Sequence, residues 1–193
     1  NSPDAIEGSV VGKYKFNQVQ KMAENALGTF YSNYKPNKVL PNQYMKFNFA
    51  INSKIIEIFN PDITLAPNTI LKGNIGSDTK NFHLDFNSPK ITAYENTFDN
   101  ILVQVDNKNP LYNAYVQLDS IKTKHYKVRD FSMINTFSKD TLRFRTEFKG
   151  GNKGLDFYNL NFYHTINNEN NNVVGFDKSE LQFKDYLWFL NEE

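Results

Sequence analysis

Apolar and polar residues alternate with a period of two along most of this chain. In the segment that begins at Tyr44, for example, Phe47, Phe49 and Ile51 fall on one side, whereas Lys46 and Asn48 fall on the other. This alternation is typical of a β-strand with one buried face and one solvated face. The pattern returns roughly every ten residues, with Asn, Asp, Gly and Pro in between, so the chain is predicted to be mainly β.

The alternation predicts one strand before residue 18 and a series of repeated strands over residues 44–190. Asn167–Asn172 reads as a flexible loop, and Lys149–Gly154 reads as a hairpin turn in which glycines supply positive φ. The predicted strands are Ser9–Phe16, a strand from Tyr44, Ile70–Ile75, Asn81–Asn87, Lys90–Tyr94, Asn100–Val105, Leu111–Asp119, Lys127–Ile134, Thr141–Phe148, Phe157–Ile166 and Ser179–Phe183.

One segment has helical rather than strand periodicity. Met22, Ala26 and Phe30 recur at helical spacing, which predicts an amphipathic helix over Gln18–Tyr31. Its polar face carries few basic residues, so we expect it to cap or plug the β core rather than lie on a membrane surface. A shorter helical turn is expected at Lys54–Phe59, capped by Asn52 or Ser53 and ended by Pro61.

Composition excludes several classes of protein. The 193 residues include 22 Lys and Arg against 21 Asp and Glu, so the chain lacks the basic field that nucleic-acid binding requires. The absence of cysteine excludes disulfides and thiolate metal sites. We expect residues 1–193 to form a single β-rich segment. Because the chain starts at Asn1 and an apolar strand lies close to its end, we also expect it to be a piece of a longer protein.

No catalytic or metal-binding motif is evident. The three histidines, His83, His125 and His164, lack metal-ligand spacing. His83 is expected on the wet face of its strand, and His164 is expected to be partly buried in register with the apolar residues before it. The sequence has no Gly-x-Ser-x-Gly elbow and no phosphate-binding loop ending in Gly-Lys-Ser/Thr. We therefore predict no catalytic residue, no metal site and no cofactor, and we expect a protein that is not an enzyme.

The aromatic and aliphatic residues of the alternating segments form the one large constellation in the sequence. They predict a continuous apolar sheet face, which a second sheet, the helix, a partner or an apolar ligand must cover. If protein covers this face, it is an ordinary sandwich core. If the face is open, it is a trough for acyl chains, and each CH₂ group buried there is stabilised by about 0.8 kcal/mol. The candidate lining residues are Phe47, Phe49, Ile51, Leu71, Ile75, Phe82, Leu84, Phe86, Ile101, Val103, Val105, Leu142, Phe144, Phe148, Leu160 and Phe162.

Four stretches of the chain resemble a known family. They are Asn60–Thr69 leading into Leu71–Gly73, Phe86–Ile91, Asp140–Gly151 and Leu160–Ile166. These stretches resemble the periplasmic region of TamB-like translocation and assembly module proteins, relatives of the AsmA-like group. The likeness runs from about Tyr44 to the C-terminus, in loose patterns without catalytic signatures.

The resemblance implies an elongated, curved and twisted multi-stranded β groove with a hydrophobic interior. It implies a periplasmic segment of an envelope protein that is anchored in the inner membrane by a missing N-terminal helix. A missing C-terminal region would meet an outer-membrane barrel protein. The implied function is to move phospholipid between the inner and outer membranes and to support outer-membrane protein assembly, and the family has no catalytic residues to carry over.

Two other functions remain open from the sequence. A carbohydrate-binding β-sandwich would stack sugar rings on exposed Tyr residues and Trp188. A purely architectural periplasmic domain would have its interior filled by its own side chains. The three interpretations differ in what covers the apolar face.

Overall fold

A computed structural model of the chain describes residues 6–52, 56–151 and 153–192. Its strands form one antiparallel sheet of 13 strands. The first and last strands in the spatial order have a neighbour on one side only, so the sheet is open. The prediction of a mainly β chain with one multi-stranded sheet is confirmed. The described strands do not divide into two sheets, so the alternative of a two-sheet β-sandwich is wrong for this part of the chain.

The sheet is a meander in which most strands pair with their neighbours in sequence. The spatial order is β1-β2-β4-β5-β6-β7-β8-β9-β10-β12-β13, while β3 pairs with β5 and β11 pairs with β10 outside this path. The strands are β1 Ile6–Lys13, β2 Tyr44–Ile51, β3 Ile63–Leu65, β4 Thr69–Gly76, β5 Asn81–Ala93, β6 Asn96–Asp106, β7 Ala114–Lys122, β8 Lys127–Ser138, β9 Thr141–Gly150, β10 Asp156–Ile166, β11 Asn172–Phe176, β12 Ser179–Phe183 and β13 Tyr186–Leu190.

Several predicted strand boundaries are wrong. The strand expected at Ser9–Phe16 ends at Lys13, where its pairing with Tyr44 ends, and Phe16 begins a 3-10 turn. The strands expected at Asn81–Asn87 and Lys90–Tyr94 are the single strand β5. The strand expected at Leu111–Asp119 is β7, which starts and ends three residues later.

Two short strands were not predicted, β3 and β11, and the apolar strand expected near the end of the chain, for which no start was predicted, is β13. Each has three to five residues, too few for alternation to stand out from a loop. The loop expected at Asn167–Asn172 is correct up to its last residue, since Asn172 begins β11. The expected hairpin turn between β9 and β10 is confirmed, with positive φ at Gly151 and Gly154.

The N-terminal helix is shorter than its apolar stripe predicts. Helix α1 spans Val19–Gly28, after the 3-10 turn Phe16–Gln18, so the predicted range Gln18–Tyr31 is too long at both ends. The ring of Tyr34 lies against Gly28, where a Cβ would come within 2.3 Å of it. A second helical turn, α2, spans Ile56–Phe59; the earlier part of the expected turn, including Ser53 and Lys54, lies outside the described residues.

Strand β8 changes sides within its length. Met133 pairs with Thr146, and Val128 pairs with Gly150. Thr146 and Gly150 are four residues apart on β9 and share a face, whereas Met133 and Val128 are five residues apart. A register shift lies between the two pairs, and Asp130 there has a φ of 52°. This irregularity returns the apolar residues of β8 to the same face.

The same change of side occurs in β5, β6 and β7. Val128 pairs with Ile121, which pairs with Phe98, which in turn pairs with Ile91. In β6 the change falls at Asn100, whose φ is 50°. The pairing between β5, β6, β7 and β8 has the same register before and after the point where β6 changes sides. All four strands therefore change sides at the same level of the sheet. The apolar face therefore continues to the far ends of the strands.

Candidate functional site

The structure places all sixteen candidate lining residues on one face of the sheet. Cross-strand pairing connects them in rows: Phe49 pairs with Leu71, which pairs with Phe86, which pairs with Val103. Residues that pair directly across antiparallel strands point to the same side. None of the sixteen is fully exposed: three isoleucines, Ile51, Ile75 and Ile101, are buried, and the other thirteen are half-buried.

Sequence reasoning missed several residues of this face, which we call the apolar face. On β7 and β8 the pairing adds Val116, Leu118, Phe131 and Met133. Val116 and Leu118 continue the alternation that is visible in the sequence. The apolar residues of β5 to β8 that lie beyond the change of side break that alternation. Further residues on this face include Leu65, Ile91, Phe98, Ile121, Val128 and Tyr158.

Helix α1 and residues 29–34 form a wall along one edge of the apolar face, which we call the N-terminal wall. Met22 and Ala26 of α1 are 1% and 0% exposed, and Phe30 is buried with its ring 5.4 Å from that of Phe137. The apolar stripe that predicted the helix is therefore the side that lies against the sheet.

Hydrogen bonds attach the N-terminal wall to successive strand ends. The Nδ2 of Asn107, at the end of β6, donates to the carbonyl oxygen of Ala26 at 2.9 Å. Past the helix, Ser32 donates to the Asp140 carboxylate from both its backbone nitrogen and its hydroxyl, each at 2.5 Å. Asn33 donates to the carbonyl oxygen of Ile166 at the end of β10. The wall thus runs along the strand ends from β6 to β10.

Tyr31 and His164 form the polar contact between the wall and the apolar face. The Tyr31 hydroxyl lies 2.6 Å from Nδ1 of His164, whose Nε2 lies 3.2 Å from the side chain of Asn172. Burial, together with the nearby charge of Asp140, raises the pKa of Tyr31 to about 12. The hydroxyl therefore stays protonated at physiological pH. His164 is half-buried, as the sequence predicted.

A cavity of about 490 Å³ lies between the N-terminal wall and the apolar face. Its lining is mostly apolar, and the polar pair Tyr31 and His164 also contributes to it. Two predicted lining residues of β9, Leu142 and Phe144, belong to this cavity, together with Val105. Its lining also includes Leu27, Phe30 and Ile166. We call it the wall cavity.

Stacked aromatic pairs continue the apolar face away from the wall cavity. Phe144 and Phe162 have ring centroids 4.6 Å apart, and Phe148 and Tyr158 have centroids 4.5 Å apart. Thr146 lies on β9 between these two pairs, opposite Leu160. Thr146 is 6% exposed, and within residues 6–52, 56–151 and 153–192 its Oγ1 is the one buried side-chain polar atom without a hydrogen-bond partner.

A second cavity, of about 630 Å³, lies at the opposite strand ends. It is lined by Tyr126, Gly150, Asp156 and two lysines, Lys153 and Lys184, and it also includes His125. The Tyr126 hydroxyl donates to Asp156 at 2.9 Å and lies 3.0 Å from the hydroxyl of Tyr158. Burial and these hydrogen bonds raise the pKa of Tyr126.

The structure places His83 on the polar face of β5, as predicted. Its Nε2 lies 3.0 Å from the Asp85 carboxylate, and its Nδ1 lies 3.5 Å from that of Asp106. Burial acts to raise the pKa of Asp85, but hydrogen bonds from His83 and Gln104 and the charge on Lys72 outweigh it, and the pKa is lowered. In the part of the chain that the structure describes, no group of three or more His, Asp or Glu residues has a geometry that could hold a metal ion.

The last strand is unusually exposed for its composition. All five residues of β13 are exposed, although the strand reads Tyr-Leu-Trp-Phe-Leu. Tyr186 and Trp188, 70% and 60% exposed, lie two residues apart and so point to the same side. This strand lies at one end of the strand order and has an open edge.

Comparison of the chain with protein-family models, with curated proteins and with solved structures gives no match. Among the described residues, none of the helices has the length and apolar character needed to cross a membrane.

Proposed function

We propose that this chain binds the acyl chains of phospholipid along its apolar face. In this proposal it is a segment of a periplasmic hydrophobic conduit that moves phospholipid between the inner and outer membranes and supports outer-membrane protein assembly. The inner-membrane anchor and the contact with an outer-membrane barrel protein would come from regions outside this chain. No catalytic residue or cofactor takes part.

The observation that carries the proposal is the continuity of the apolar face. Sixteen residues that alternation selected, and at least ten more that pairing adds, lie on one side of a single open sheet. The described strands supply no second sheet to cover this side, and the N-terminal wall runs along one edge of it. Half-buried Phe, Leu and Val side chains on such a surface favour contact with an apolar ligand.

The wall cavity favours a lipid-binding function over an architectural one. A filled interior would leave no space between the wall and the sheet, whereas this cavity measures about 490 Å³. Cavities of a few hundred Å³ with apolar walls are the usual size of small-ligand sites. An acyl chain entering such a space gains about 0.8 kcal/mol for each CH₂ that it removes from water.

Introducing charge on the apolar face tests the proposal. Leu84 and Phe86 lie on β5 near the middle of the sheet order, and we expect Leu84→Arg with Phe86→Arg to abolish lipid binding while the fold remains. The measurement is native mass spectrometry of the purified chain, which detects co-purified phospholipid. In the longer protein the same double variant is expected to block phospholipid passage to the outer membrane.

A matched variant on the polar face serves as the control. Asn87→Arg with Gln117→Arg adds the same charge at two exposed positions, and we expect it to retain bound lipid. Circular dichroism checks that both variants are folded. A wild-type chain without lipid after incubation with phospholipid vesicles, or a folded Leu84→Arg, Phe86→Arg variant that binds normally, would refute the proposal.

Carbohydrate binding is the second candidate, and the geometry of β13 favours it specifically. Exposed Tyr186 and Trp188 share one side of this edge strand, and neighbouring aromatic rings are a common platform for sugar rings. A glycan array distinguishes the two functions. Binding that Trp188→Ala abolishes and that Leu84→Arg with Phe86→Arg leaves intact would favour carbohydrate over lipid.

A further inference from the structure

The apolar face is not uniform, and β9 combines three features that are not found together on another of the described strands. One end of this strand lines the wall cavity through Leu142 and Phe144. Its middle carries Thr146, a buried hydroxyl without a hydrogen-bond partner among the described residues. Stacked aromatic rings flank that hydroxyl on both sides along the strand.

The unpaired hydroxyl of Thr146 points to a ligand with a hydrogen-bond acceptor. Burying a hydroxyl without a partner is costly, so most such groups in proteins are satisfied. Valine has nearly the same shape as threonine and would fill this position between aromatic rings without the cost. Protein atoms cover this hydroxyl, so a carbonyl oxygen that displaces the covering side chains would accept the hydrogen bond that the protein leaves unmade.

The distance from Thr146 to the wall cavity matches the length of an acyl chain. Thr146 and Leu142 are four residues apart on β9, which is about 13 Å at the rise of about 3.3 Å per strand residue. The hydrocarbon core of a bilayer is about 30 Å thick and holds two leaflets, so one acyl chain spans about 15 Å. A chain whose carbonyl lies at Thr146 therefore ends within the wall cavity.

The polar pair at the wall cavity is consistent with an uncharged ligand end. Tyr31 and His164 already bond to each other, and burial keeps the tyrosine protonated. The acidic residues near this pair are Glu24, which lines the cavity, and Asp140, whereas no lysine or arginine of the described residues contributes to the lining. The cavity therefore suits a hydrocarbon tail and disfavours a carboxylate or phosphate.

We propose that β9 and the wall cavity form a discrete binding site for one ester-linked acyl chain, with the carbonyl oxygen hydrogen-bonded to Thr146 and the methyl end beneath the N-terminal wall. The inference rests on the proposed lipid-binding function and makes it more specific. It assigns the orientation of the chain, parallel to β9, and the kind of linkage that the site recognises.

The linkage is tested with two lipids that differ in one carbonyl group. Palmitoyl lysophosphatidylcholine carries an ester, and hexadecyl lysophosphatidylcholine carries an ether at the same place. Titration calorimetry below the micellar concentration should show the ester binding wild type about three- to tenfold more tightly than the ether, the worth of one neutral hydrogen bond. Thr146→Val should abolish that preference by weakening the ester alone, and should also raise the melting temperature of the lipid-free chain.

The cavity is tested with lipids of different chain length. Leu142→Trp reduces the wall cavity, and excluding about two methylenes should weaken palmitoyl lysophosphatidylcholine roughly tenfold. Decanoyl lysophosphatidylcholine, whose tail is shorter than the distance from Thr146 to Leu142, should be weakened less by Leu142→Trp than the palmitoyl lipid is. The controls are Thr136→Val and Leu102→Trp, the same substitutions on the polar face, which should leave all three affinities unchanged.

The outcomes separate this inference from the proposed function. If wild type binds none of the lipids, the proposed function and this inference are both refuted. If it binds ester and ether equally, and neither Thr146→Val nor Leu142→Trp alters any affinity, the apolar face binds lipid without a discrete site and this inference alone is overturned. Melting temperatures establish that each variant is folded, so a loss of affinity in a folded variant supports the site.

Discussion

Asp99 of β6 shows how single side chains stabilise the polar face. Its carboxylate accepts hydrogen bonds from the Ser120 hydroxyl at 2.6 Å and from the Lys122 ammonium at 2.9 Å. These contacts, the one from Ser120 being the strongest, lower the pKa of Asp99 from its usual 3.8. Because the folded-state pKa is lowered, Asp99 stabilises the fold fully above about pH 4, and this contribution is lost as the pH falls through the folded-state pKa.

We expect Ser120→Ala to raise the pKa of Asp99 towards 3.8. It should also lower the free energy of unfolding at neutral pH by about 1 to 2 kcal/mol, because a hydrogen bond to an ionised carboxylate is worth more than a neutral one and the partial exposure of Asp99 reduces that worth. The difference from wild type should shrink as the pH falls from 3.8 through the lowered folded-state pKa of Asp99, because below that pKa both proteins carry a protonated Asp99. Carboxyl NMR titration and urea unfolding at several pH values measure the two effects. Ser138→Ala, at an exposed position, is the control, and an unchanged Asp99 pKa would contradict this account.

For single residues, the sequence predicts the face of the sheet on which a side chain lies better than it predicts the residues that the side chain contacts. Alternation correctly put His83 on the polar face and His164 in register with the apolar residues of β10. It did not reveal that His164 meets Tyr31, because the two are 133 positions apart and no local pattern connects them. The missing partner of Thr146 is equally invisible, since an unmade hydrogen bond depends on every neighbour that surrounds it.

Among the elements, the N-terminal wall depends on one asparagine. Asn107, at the end of β6, donates to the carbonyl oxygens of Ala26 and Lys80 and accepts a hydrogen bond from the backbone nitrogen of Phe82. These three contacts join α1, the turn before β5 and β5 itself. Buried side chains that satisfy several backbone groups at once are costly to remove, because each group is left without a partner.

We expect Asn107→Ala to destabilise the chain by about 2 to 3 kcal/mol and to loosen α1 preferentially. Urea unfolding measures the first effect, and amide hydrogen exchange within Val19–Gly28 measures the second. Lys108→Ala, at the exposed neighbouring position, should stay within about 0.5 kcal/mol of wild type. Equal exchange protection of α1 in Asn107→Ala and wild type would show that the wall does not depend on this residue.

Element boundaries were predicted poorly where strands change sides. The sequence divides β5 into two strands because the apolar residues shift from even positions, such as Phe86, to odd ones, such as Ile91. In the structure the strand continues, and the shift is absorbed near Pro89. Period-two reasoning treats any break in alternation as the end of a strand, so only the pairing partners distinguish a break from a change of side.

At the scale of the whole molecule, the open sheet leaves unpaired edges at both ends of its strand order. β1 and β13 each pair on one side only, and β13 exposes apolar side chains on both faces. Unpaired backbone groups combined with exposed apolar side chains favour strand-to-strand association. The overall class of the fold was nevertheless predictable from the sequence, because the alternation extends over most of the chain.

We expect the isolated chain to self-associate with rising concentration through β13. Leu187→Lys with Phe189→Lys should shift the chain towards monomer, because charges on an edge strand disfavour edge-to-edge pairing. Sedimentation velocity over a range of concentrations measures the change. Phe16→Lys with Leu111→Lys adds the same charge at two exposed apolar positions outside the strands, and should leave the association unchanged. Equal association of all three proteins would place the contact elsewhere.

The row where β5 to β8 change sides makes these strands sensitive to deletions. Removing Asn100 would restore strict alternation in β6, with Phe98 two residues from Ile101 instead of three. The neighbouring strands would keep their extra residue, so Phe98 would no longer be in register with its partners Ile91 and Ile121. One strand cannot lose the irregularity without mismatching both neighbours. Gains and losses of single residues at this row are therefore compatible with the fold only when all four strands acquire them together.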